Sequence, residues 1–82
     1  MWSNMLTKLR KAREAYELGK TMQRAVERGR KLHPWRGRRH ALDALVSELM
    51  ELRTEVARAD DARIRAEAID VAVVALRIAA GR

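Results

Sequence analysis

The chain contains no cysteine, which excludes both disulfide staples and thiolate-held zinc. Breakers are also scarce. There is one proline, Pro34, and glycine stands only at positions 19, 29, 37 and 81. Nothing alternates with period two over a strand's length, so no strand is expected. Internal repeats and low-complexity segments are absent, as are a phosphate-cradling glycine loop, a nucleophilic Ser/His/Asp set and a zinc finger. The longest nearly apolar stretch, Ile64 to Ala80, is too short for a comfortable membrane span and carries Glu67, Asp70 and Arg77. The N-terminus is basic but lacks the continuous apolar core of a signal peptide. These absences leave a soluble, cytoplasmic protein with no membrane partner as the expectation.

What is present reads as helix throughout. The 82 residues make one domain, 1–82, near the lower end of what folds alone. A small scaffold without staples often gains stability by oligomerising. A basic first helix is expected from about Ser3, as N-cap, to about Lys31. Leu6, Leu9, Ala12 and Tyr16 share one face of it, whereas Leu18, Met22, Ala25 and Val26 share another. Gly19 lies at the changeover, so either the helix kinks or breaks there, or each half packs on a different neighbour across a protomer boundary. An arginine-rich loop, 32–39, follows, with Pro34 disfavouring helix at His33. A hairpin of two helices then fills 40–80. Its first helix runs from about His40 to Ala57 with an apolar stripe of Leu42, Leu45, Val46, Leu49, Leu52 and Val56. Asp60 or Asp61 caps the second, which ends at Gly81. The short linker makes the pair antiparallel. The expected fold is all-α: a helical hairpin plus a long N-terminal helix, completing a four-helix-type bundle as a homo-oligomer, dimer or tetramer.

Charge is uneven. Residues 1–40 hold twelve Lys/Arg against three Glu, a net of +9, while residues 41–82 hold six Arg against eight acids, a net of −2. A basic half beside an acidic half suits a polyanion held at a metal site. It equally suits nucleic-acid binding through the basic half alone, or merely a solvated, solubilising face.

The acids stand in two pairs, Glu48-x-x-Glu51 and Glu67-x-x-Asp70, one on each helix of the hairpin. Positions i and i+3 share a helix face, so each pair projects two carboxylates one way. Glu48 and Glu51 alone fit a solvated face, and Glu55 continues that strip toward water. Glu67 and Asp70 are different, because Ile64, Ile69, Val71, Val73, Val74, Leu76 and Ile78 leave their helix almost no polar side. Burying two carboxylates there without a partner would cost several kcal/mol per ion, so something must neutralise them. One candidate is an arginine, Arg77 or one from the first helix. The better one is Mg²⁺ or Mn²⁺, which hard oxygen ligands suit. His33 and His40 flank the loop, but no further zinc ligands accompany them. Trp35 among Arg36, Arg38 and Arg39 is placed either to stack on a nucleobase or to close one end of the helical core.

ExxE on one helix and ExxD on the next, separated by the fifteen residues Leu52 to Ala66, resembles the all-α nucleoside triphosphate pyrophosphohydrolases of the MazG type. The segments His40-Ala41-Leu42, Ser47-Glu48-Leu49-Met50-Glu51-Leu52 and Glu67-Ala68-Ile69-Asp70-Val71-Ala72 are similar to small virus-encoded members, and the likeness covers about residues 33–80. It implies that Glu48, Glu51, Glu67 and Asp70 are metal ligands. It also implies that water attacks the α-phosphorus of a bound nucleoside triphosphate while Mg²⁺ orients and neutralises it, with Glu48 or Glu51 as the catalytic base. Two features depart from the family pattern. Ser47 stands where a further acid is usual, and the chain ends twelve residues after Asp70, where members continue into a helix bearing phosphate contacts. Substrate contacts are therefore expected from Arg36, Arg38, Arg39, Arg77 and Trp35, from the first helix or from a second protomer. The alternative is a non-catalytic basic protein that binds a nucleotide or nucleic acid.

Overall fold

The computed structural model describes residues 2–81. Three helices account for nearly all of them: α1 (Trp2–Leu32), α2 (Arg38–Arg58) and α3 (Asp61–Ala80), with no strand among the described residues. Each boundary has a local cause. Pro34 cannot continue α1, and α2 starts after Gly37, whose φ of 127° suits a residue without a Cβ. It therefore begins two residues earlier than the expected His40. Between α2 and α3, Ala59 takes the left-handed conformation and donates its N–H to the carbonyl of Val56. Asp60 is the cap of α3: its carboxylate accepts the backbone N–H of Arg63 at 3.2 Å. Gly81 closes α3 in the left-handed conformation, donating to the carbonyls of Arg77 and Ile78.

Two expectations for α1 are corrected. The helix starts at Trp2, so Ser3 lies inside it rather than capping it, and it runs unbroken through Gly19. Of the two readings of the changeover at Gly19, a break is thereby removed.

The two-residue connection Ala59-Asp60 folds α3 back along α2. α3 then lies between α2 on one side and α1 on the other. Only the second half of α1 takes part: Met22, Ala25, Val26, Glu27 and Gly29 are partly covered, whereas every residue from Trp2 to Thr21 is exposed. The molecule is accordingly elongated, 52 × 30 × 17 Å. Its core is thin. Ala41 is the one buried apolar residue among those described, while Leu42, Val46, Leu49, Val56, Leu76 and Ile78 stay exposed on the hairpin. At about 25 cal/mol per Å² of apolar surface, so little burial gives a single copy a slender margin over chain entropy.

Where α1 meets α3, Gly29 admits the guanidinium of Arg77, since a Cβ at that position would stand 3.0 Å from Nη1. The Arg77 side chain is buried. It donates to the carbonyl of His33 at 2.7 Å and lies 3.8 Å over the Trp35 ring. Burial lowers its pKa without removing its charge. Trp35 in turn meets His40 edge-on at 5.5 Å, and His40 Nδ1 accepts the backbone N–H of Arg36. One buried arginine thus ties the loop to both α1 and α3.

Candidate metal centre

Helical spacing and the α2–α3 hairpin together bring the acids to one place. Carboxylate oxygens of Glu48, Glu67 and Asp70 lie within 4.8 Å of one another. Two ligands on opposite sides of Mg²⁺ stand about 4.2 Å apart and of Ca²⁺ about 5 Å, so the cluster has the span of one hard cation. Glu51 lies outside that triplet but within hydrogen-bonding reach of both Glu48 and Glu67. All four acids are therefore on one side of the hairpin.

No basic side chain among the described residues neutralises them. The ion pairs among the described residues fall elsewhere, and none joins a Lys, Arg or His to these four carboxylates. Glu48 Oε2 and Glu67 Oε2 are buried without a hydrogen-bond partner. The cost appears as proton affinity. Desolvation, then repulsion from Glu51, then a hydrogen bond to Glu51 push Glu48 up to about 7 from an ordinary 4.5. Glu67 is raised for the same kinds of reason, with desolvation first. The bond to Glu51 raises both because a protonated Glu48 or Glu67 donates to the Glu51 carboxylate.

Glu55 corrects the sequence reading. Rather than facing water, it is buried and takes Arg58 at 3.4 Å and Arg63 at 3.8 Å on Oε1. Arg63 sits one helix away, in α3, and that partner was invisible along α2 alone. Glu55 is thus the acid of the strip that the fold neutralises itself.

The residues expected to contact substrate divide into two groups. Trp35, Arg38 and Arg77 line one cleft of about 680 Å³ together with Leu42, Leu45 and Ile78, a size typical of small-molecule sites. Leu45 is one helical turn from Glu48, and Arg77 two turns from Asp70, or roughly 10 Å at 1.5 Å per residue. Trp35 Nε1 is buried there without an acceptor. Arg36 and Arg39 are exposed and do not line the cleft. A shallower depression of about 440 Å³ on α1, around Gln23, Arg24 and Glu27, is formed by one helix alone and lies away from the acids.

No helix of the described residues is long and apolar enough to cross a membrane. Comparison with family models, curated protein sequences and solved structures finds no match to this chain.

Proposed function

We propose that Glu48, Glu51, Glu67 and Asp70 bind Mg²⁺ or Mn²⁺, and that the protein hydrolyses (deoxy)nucleoside triphosphates to the monophosphate and pyrophosphate. One observation carries the reading: a knot of carboxylates, two with orphaned buried oxygens, that no basic side chain among the described residues pairs with. The donor set is all-oxygen and anionic, which fits a hard divalent cation. When bound, the cation offsets the negative charge of both the carboxylates and a triphosphate.

The chain's own residues have distinct parts. Water attacks the α-phosphorus, the bond to the bridging oxygen breaks, and pyrophosphate departs. Glu48 or Glu51 takes the water's proton. Arg38 meets phosphate charge at the cleft mouth, and the Trp35 indole, already backed by Arg77, offers an apolar wall to the nucleoside. Arg36 and Arg39 add positive field rather than contacts. A homo-oligomer completes the four-helix-type core, since the hairpin's apolar faces are uncovered in one copy.

A second reading rests on a separate observation. Lys8, Arg10, Lys11, Arg13 and Lys20 are all exposed on the part of α1 that touches nothing else, a disposition that serves nucleic-acid binding. One experiment separates the two. Purified protein with each triphosphate and Mg²⁺ is assayed for pyrophosphate. On the first reading Glu67→Gln abolishes turnover, while Arg38→Ala chiefly raises KM. Steeply salt-dependent binding to DNA or RNA, indifferent to Mg²⁺ and to Glu67→Gln, with no pyrophosphate released, establishes the second.

A further inference from the structure

α1 sorts its charges by side. It holds nine Lys/Arg against three Glu. At 100° per residue Arg10, Arg13, Lys20, Arg24, Arg28 and Lys31 fall within one sector of roughly 80°. All six are exposed, and Glu17 is the one acid among them. The partly covered Met22, Ala25, Val26 and Gly29 lie roughly opposite, on the side packed against α3. The strip therefore faces away from α3, and with it from Glu67 and Asp70. The other two acids of α1 are already engaged, Glu14 with Arg10 at 3.8 Å and Glu27 with Arg30 at 3.7 Å. Arg13, Lys20, Arg24, Arg28 and Lys31 enter no ion pair among the described residues. Arg24, Arg28 and Lys31 also surround the shallow depression on α1. A solubilising surface intersperses both signs and needs no such segregation.

We propose that this strip binds the phosphate backbone of double-stranded DNA. The inference rests on the second reading above and deepens it, by naming the surface and the form of nucleic acid. Shape selects the partner. Single strands are held in a groove that tracks the backbone and on aromatic rings where bases stack. The strip is instead the convex side of an unbroken helix. Tyr16, the one aromatic residue between Arg10 and Lys31, has the Lys20 ammonium 4.9 Å over its ring. The major groove of B-DNA, about 12 Å wide, admits an α-helix, whereas that of an RNA duplex does not. From Arg10 to Lys31 the strip spans about 31 Å. Over that length a DNA duplex carries about eighteen phosphates, so each cation has one in reach.

Fluorescence anisotropy with a labelled DNA duplex of about 20 base pairs, between about 50 and 200 mM salt, tests this. Five neutralised phosphates predict a slope of log K against log salt of about −4.5, a loss of roughly 500-fold over that range. In Arg24→Ala/Arg28→Ala the slope should become about −2.7, equally on two duplexes of unrelated sequence. Both positions are exposed and alanine favours helix, so circular dichroism should be unchanged. Arg24→Gln/Arg28→Gln repeats the measurement should it differ. Arg53→Ala, exposed on α2, should bind as wild type does. The proposal is overturned if no DNA binds at the lowest salt, or if a single strand or an RNA duplex of the same length binds more tightly. It is also overturned if the Arg24/Arg28 variants bind as wild type does. That last result, with DNA still bound, leaves the nucleic-acid reading standing and removes only the strip. Pyrophosphate release is scored separately, since the strip shares no residue with the acids or the cleft.

Discussion

Replacing Glu48 with glutamine should make the metal-free protein more stable, and more so the higher the pH. Glu48 sits against Glu51, Glu67 and Asp70 with no counter-charge among the described residues, and its pKa is raised to about 7 where an unfolded chain has about 4.5. Between those values the folded protein holds a proton that the unfolded chain has released, so stability falls as pH rises. The penalty is absent below about pH 4.5 and complete above about pH 7. A shift of this size corresponds to roughly 3 kcal/mol at most, and solvent screening of a partly covered group brings it to about 1–2 kcal/mol. For a domain of this size that is on the order of 5–15 °C in Tm. The assay is thermal or urea unfolding of wild type and Glu48→Gln from pH 5 to 8 in chelator, at one fixed protein concentration. Glutamine keeps the shape and removes the titration, so the difference between the two proteins isolates this group from every other carboxylate. Adding millimolar Mn²⁺ at pH 8 should reverse the order, stabilising wild type and leaving the variant nearly unmoved. A difference that stays flat with pH, or a variant less stable than wild type at pH 8 without metal, refutes the reasoning.

Arg77→Met should cost about 2–4 kcal/mol in urea unfolding, since the buried guanidinium holds the His33 carbonyl and backs Trp35; its Trp emission should shift red as the loop loosens. Asp60→Ala should cost about 1 kcal/mol by removing the α3 cap, and Asp60→Asn much less, because asparagine still accepts the Arg63 N–H.

Much of this architecture was legible in the chain. The few breakers delimit three helices, and the i, i+3 spacing of the acids predicts their convergence once a two-residue linker forces a hairpin. Asp60 and Gly81 announce the ends of α3 by residue type alone. What stayed hidden required knowing which helix lies beside which. Glu55 reads as the outer edge of an acidic strip until Arg63 arrives from α3. Arg77 looks like a spare cation near the acids, yet it is buried against Trp35 at Gly29, seven residues along from Asp70. The start of α1 was misplaced because serine is a good cap anywhere, and Ser3 lies one position inside a helix that begins at Trp2. The changeover of apolar faces near Gly19 was visible, and α1 carries it as one unbroken helix with two differently directed faces.

The claim on which the rest depends is that the four carboxylates hold a divalent cation, and equilibrium titration with Mn²⁺ at pH 8, followed by the loss of its free-ion electron paramagnetic resonance signal, tests it most directly. The account predicts at least one Mn²⁺ bound per chain, displaced by excess Mg²⁺, with affinity falling tenfold or more in Asp70→Asn. Wild-type protein that leaves the signal unchanged at millimolar Mn²⁺, or binding that is equal in Asp70→Asn, contradicts it.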